Sequence, residues 1–189
     1  MIDIGKDMYN LMKDLFPICR SLTGNGVRKT FDILKQHIPI EIKEVPSGTH
    51  AFDWVVPNEW NINDAYVMDE SGKKVIDFQE NNLHVISYSI PMKKKMSLNE
   101  LQKNLHSLPD NPDVIPYITS YYKEDWGFCL SEKTRQELHP GTYTVCIDST
   151  LKPGNMTYGE LFIKGECEEE ILLSTYICHP SMANNELSG

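Results

Sequence analysis

No apolar run in the sequence approaches the roughly 18–20 residues that a membrane-crossing helix needs, so no transmembrane segment is expected. Basic charge is scarce: 18 Lys and Arg stand against 27 Asp and Glu, for a formal net charge of −9. Nucleic-acid binding requires a dense cationic face that displaces counterions, and this balance argues against it. The one basic run, Lys93-Lys94-Lys95 beside Pro91, reads as a solvated turn. Cysteine is sparse and scattered. Cys19, Cys129, Cys146, Cys167 and Cys178 make an odd set of five with no Cys-x-x-Cys pair. Disulfide frameworks and zinc ribbons need closer or even sets, so buried free thiols in a reducing cytoplasm are expected. The N-terminus lacks the basic start and apolar centre of a secretion signal, which points the same way. Internal repeats and low-complexity segments are absent as well.

What is present is ordinary globular material, 189 residues at 40% hydrophobic, enough for a real core. It reads in three pieces: 1–51, 52–152 and 153–189. In the first, Ile4, Met8, Leu11, Met12, Leu15 and Phe16 make one helical stripe, with Pro17 just beyond it. Ser21-Leu-Thr-Gly-Asn-Gly26 interrupts before Val27, Phe31, Leu34 and Ile38 resume the period, and Pro39 ends it. Ile40–Val45 alternates as a short strand. The second piece is mostly β. Residues 65–68 and 75–78 flank Asp69-Glu-Ser-Gly72 as a hairpin, and 83–90, 117–122 and 142–147 read as further strands. Ser97 and Glu100 form a capping-box pair opening one helix, and the three prolines within 108–116 mark a loop. In the third piece 158–164 and 171–178 read as strands, the latter apolar enough to be covered on both faces.

The chemistry gathers at the end of the sequence. His179 follows a strand at its carboxyl end, where open α/β sheets place ligands. Asn185 and Glu186 follow in a polar loop, and imidazole with carboxylate oxygen suits zinc or a similar divalent ion. A histidine before proline at a strand end also reads as structural. Ser181 and Ser188 lack a Gly-x-Ser-x-Gly elbow. Cys178 and His179, adjacent on a strand, point to opposite faces and so should not share a proton. Ser21–Gly26 lacks the Gly-Lys-Ser/Thr ending of a phosphate loop. The rings of Trp54, Trp60, Tyr66, Tyr121, Tyr122, Trp126 and Phe128 read as a β core, with a sugar-binding face as the alternative.

Four stretches carry a family resemblance: Arg20–Arg28, Phe52–Trp60, Ser120–Cys129 and Ser174–Ser181. In that order they resemble the bacterial polysaccharide biosynthesis proteins with an aminopeptidase-like domain, relatives of the MH-clan zinc aminopeptidases and carboxypeptidases. The resemblance implies an α/β, phosphorylase/hydrolase-like zinc-peptidase fold, incomplete here, with 52–152 as an inserted, mostly β domain. It implies zinc, with His179 as first ligand and the bridging position falling on Asn185, one residue before Glu186. The clan's bridging and His-orienting aspartates are here Asn185 and Ser181. The remaining ligands and the general-base Glu of such enzymes have no counterpart in these 189 residues, so no catalytic residue is assigned and the chain alone is expected to be inactive. The substrate implied is a small peptide, amide or sugar-derived compound. The alternative is a non-catalytic scaffold that binds a sugar or a partner protein, or that forms a homo-oligomer through the β-rich piece.

Overall fold

The computed structural model describes residues 4–181. In chain order its elements are α1 (Ile4–Leu15), α2 (Asn25–Leu34), β1 (Glu41–Pro46), β2 (His50–Ala51), β3 (Trp54–Val55), β4 (Glu59–Met68), β5 (Lys74–Asp77), β6 (Met92–Ser97), α3 (Leu98–Leu101), β7 (Leu105–His106), β8 (Phe128–Cys129), α4 (Glu132–Gln136), β9 (Thr142–Lys152) and β10 (Asn155–Glu160). The chain divides into two compact units, Met1–Val56 with Pro153–Gly189, and Pro57–Lys152. The fold is mixed α/β with several sheets. Among the described residues no helix is long and apolar enough to cross a membrane.

The discontinuous unit is tied together by β1 and β10, antiparallel from Glu41 opposite Glu160 to Pro46 opposite Asn155. Past the end of that ladder, Ser47 N–H donates to the Gly154 carbonyl at 2.8 Å. Helix α2 lies on β10 at Gly159, where a Cβ would sit 2.6 Å from both Phe31 Cε1 and Ile40 Cδ1. The apolar period of α2 buries Val27 and Phe31, as its spacing predicts. Helix α1 spans the predicted stripe, yet Ile4, Met8 and Phe16 are exposed and only Leu15 is buried. Helical spacing supplies an apolar face but not a partner for it.

The expected strand at 171–178 does not form. Ile171, Leu172 and Leu173 are each 90% exposed. A strand needs a neighbour to take its backbone N–H and C=O groups, and among the described residues nothing pairs with this segment. The preceding expected strand is likewise shifted, running Asn155–Glu160 instead of 158–164.

The contiguous unit is built on a four-stranded antiparallel sheet in the order β5-β4-β9-β6. Strand β9 alternates strictly, burying Tyr143, Val145, Ile147 and Ser149. On β4, Trp60 shares the buried face with Ala65 and Val67 although their spacing is odd. The register shift between Ile62 and Asp64 inserts one extra residue, and that bulge restores the inward phase. Asp69 Oδ1 accepts from Ser71 N–H at 2.9 Å and Lys73 N–H at 3.0 Å, which forms the β4–β5 turn, with Gly72 at φ 86°. The capping box of Ser97 and Glu100 opens α3 as its sequence predicts. Lys93–Lys95 are exposed on edge strand β6 rather than in a turn, because β9 offers that stretch a pairing partner.

Neither 83–90 nor 117–122 is a strand; they meet through one isolated bridge, Ser87 to Thr119. Tyr88 adopts φ 70°, which no extended strand permits. The backbone donors of this stretch leave it instead: Ile86 N–H to Gly127 O at 3.1 Å, Ser87 N–H to Ile118 O at 3.1 Å and Ile90 N–H to Asp125 O at 3.0 Å. The Ser89 carbonyl accepts from Trp60 Nε1 at 2.9 Å and Ser149 Oγ at 2.7 Å, fixing the segment to the sheet.

Candidate metal site

His179 lies in the discontinuous unit, held to the loop that joins α1 and α2. That loop is shaped by close backbone approach. Gly24 enters α2 at φ 101°, a conformation that favours glycine. A Cβ on Gly26 would penetrate the Cys19 carbonyl oxygen and lie 2.8 Å from its carbon and 3.0 Å from Arg20 Cα. Ser21 Oγ closes the loop by donating to the Thr23 carbonyl at 2.5 Å. The Ser21–Gly26 motif thus has a steric purpose: it presents Arg20 to the interior.

Arg20 is completely buried. Its Nη1 donates to the Leu15 carbonyl at 2.6 Å, and its Nε donates to the His179 carbonyl at 3.1 Å. Leu15 ends α1, where carbonyls lack helical partners and the helix dipole favours a cation. Nη2 has no hydrogen-bond partner among the described residues. Burial pushes the guanidinium pKa below its ordinary value, opposed by the neighbouring Cys19 and Cys178 sulfurs. It remains charged all the same.

Burial, and then the Arg20 charge, push His179 below its ordinary 6.5, so the imidazole is neutral at pH 7. Neutral imidazole is the form that binds metals. Its Nδ1 lies 3.7 Å from Cys178 Sγ. This corrects the expectation that the two side chains point apart, which assumed a strand that does not exist. They still do not form a nucleophile and base. Burial raises the Cys178 thiol while His179 is lowered, so both groups are neutral and no thiolate–imidazolium pair arises. Ser181, at φ 34°, donates its hydroxyl to the Phe16 carbonyl at 3.1 Å and so fastens the segment to the end of α1.

Of the predicted ligand set, Asn185 and Glu186 lie outside the described residues. Among the described residues no group of three His, Cys, Asp or Glu could hold a metal ion. Within them the fit to zinc is that of one donor: a neutral imidazole whose backbone is clamped.

The family model for a domain of unknown function, DUF4910, matches residues 9–189. The chain belongs to that family. A Clostridium acetobutylicum protein provisionally named a polysaccharide biosynthesis protein with aminopeptidase-like domain is 62% identical over 99% of this chain and 43% of its own length. A crystal structure provisionally identified as a peptidase from the same organism superposes with a TM-score of 0.96 at 62% identity, over 98% of this chain and 44% of that one. This DUF4910 chain therefore spans less than half the length of the relatives it matches. Two stretches that carry the resemblance, Arg20–Arg28 and Ser174–Ser181, meet here through the Arg20–His179 hydrogen bond, 159 residues apart in sequence. Sequence reasoning gave Arg20 no role. Membership in that first stretch was its one signal, since local spacing never marks a buried arginine.

Proposed function

We propose that this chain serves in a zinc-dependent, aminopeptidase-like hydrolase that cleaves a peptide or amide bond in surface polysaccharide biosynthesis. The observation that supports it best is the neutral, partly buried His179 with its backbone fastened by Arg20, in a chain of this family. In this reading His179 is the first ligand, Asn185 and Glu186 contribute from the following loop, and the fold is the phosphorylase/hydrolase type carrying a β-rich insert. Bound zinc would polarise the scissile carbonyl and activate a water. The 189 residues alone supply no general base and are inactive in this reading. A second reading, a non-catalytic scaffold, is favoured by Asn185, because a neutral amide bridges cations poorly compared with a carboxylate.

The test is the zinc-to-protein ratio of the longest natively encoded form, with and without His179→Ala. A ratio near one or two that falls in the variant supports the hydrolase. A ratio near zero after zinc has been offered, or one unchanged by the substitution, overturns it in favour of the scaffold.

A further inference from the structure

The β-rich unit holds a cavity of about 140 Å³ that the zinc reading does not use. Its aromatic wall is Tyr88, Tyr121 and Tyr122. These rings continue a stack that begins in the core. Trp60 lies over Tyr88 at 5.8 Å and 22°, Tyr88 meets Tyr121 edge-on at 5.6 Å and 64°, and Tyr121 meets Tyr122 at 4.2 Å and 50°. The series runs from rings 2% exposed, Trp60 and Tyr88, to Tyr122 at 78%. A tyrosine that open to water is not contributing to the core. It lines the cavity with its ring against Tyr121.

Backbone strain marks the same place. Tyr88 is a bulky, non-glycine residue at φ 70°, a conformation costing on the order of 1–3 kcal/mol that clusters at ligand clamps. Four hydrogen bonds hold the flanking residues in it: Trp60 Nε1 and Ser149 Oγ to Ser89 O, Ser89 N–H to Ile86 O, and Ile90 N–H to Asp125 O. The lining also includes Asn58, Ser120, Lys123 and Glu124, residue types that between them donate and accept hydrogen bonds.

We infer that this cavity is a subsite for a single pyranose ring of a neutral glycan. Its volume is well below the roughly 300–1,000 Å³ of drug-sized ligand sites, so the occupant is one ring, not an oligomer. A pyranose has an apolar C–H face that lies on tyrosine and an equatorial rim of hydroxyls that both donate and accept. The walls offer the complement of each. An apolar peptide side chain would use the rings and leave the mixed polar lining idle. The subsite lies wholly within residues 57–152 and needs neither His179 nor a metal.

The experiment is saturation-transfer-difference NMR on the intact protein with the methyl glycosides of glucose, galactose, mannose and N-acetylglucosamine, each run with zinc and with chelator. At least one glycoside should receive saturation at its ring C–H protons, equally in both conditions. Tyr122→Ala, at an exposed position that leaves the fold intact by circular dichroism, should weaken that binding about five- to tenfold. No transfer to any of the four, or transfer unchanged in Tyr122→Ala, overturns the assignment. So does binding of the tripeptide Gly-Phe-Gly at this cavity in place of all four sugars. Loss of zinc binding with sugar binding retained would sink the hydrolase proposal and leave this one standing.

Discussion

Replacing Gly26 by alanine tests whether the loop before α2 exists to place Arg20. In an ordinary helix interior the exchange is favourable, by about 1 kcal/mol in helix propensity. Here the sign should reverse. The new methyl would overlap the Cys19 carbonyl oxygen and crowd Arg20 Cα at 3.0 Å, and every atom it meets is backbone. No rotamer change relieves that, so the loop must move, at about 1–3 kcal/mol for an overpacked site. Moving it pulls Arg20 away from the Leu15 and His179 carbonyls, and weakening hydrogen bonds from a buried charge costs about 1.5–3 kcal/mol. The net expectation is a loss of about 2–5 kcal/mol, read by urea unfolding of the intact protein. Arg20→Ala and the double variant complete a cycle. If the two residues act through one contact, their effects should overlap by a kcal/mol or more and not add. A neutral or stabilising Gly26→Ala, or strict additivity with Arg20→Ala, would refute the reasoning.

Two further outcomes follow from the thiols and from the apolar run. Burial pushes Cys19 and Cys129 up to about 12, so at pH 8 iodoacetamide should modify exposed Cys167 quickly and leave Cys129 and Cys19 untouched until the protein unfolds; equal rates would contradict the burial. These folded-state values lie above the ordinary 9.0, so the native protein holds its thiol protons more tightly. Their contribution to stability is therefore complete below pH 9 and should be lost as pH rises from 9 towards 12, seen as a falling urea midpoint. The 189-residue chain should self-associate through Ile171–Leu173, each 90% exposed, and Leu172→Lys should shift its sedimentation towards monomer; an already monodisperse monomer would argue against this.

Features with local causes were legible in the sequence. The β4–β5 turn was readable because Asp69 and Gly72 carry its chemistry within four residues, and the Ser97–Glu100 box because both partners sit in one helical turn. Residues 83–90 were misread because alternation and apolar content match a strand, while the partners that bend the segment lie near residues 118–127. At 171–178 composition described a strand buried on both faces, but a strand is made by its neighbours, and none exists among the described residues. In the candidate site the sequence pointed to His179 but not to Arg20. A histidine after an apolar run invites a ligand reading, whereas the burial of Arg20 depends on a helix end and on a carbonyl 159 residues away.

That separation has a consequence for synthesis of the chain. A ribosome adding about 5–20 residues per second needs roughly 8–30 s to travel the 159 residues from Arg20 to His179. Strand β1 likewise waits for β10, its ladder partner more than 100 positions later. The sheet of residues 59–152 draws its strands from one unbroken stretch of chain, and its last strand, β9, is complete just before β10 begins. The segment that holds Arg20 and β1 is thus made before that sheet and completed after it. For that interval Arg20 lacks the His179 carbonyl and β1 lacks its ladder partner.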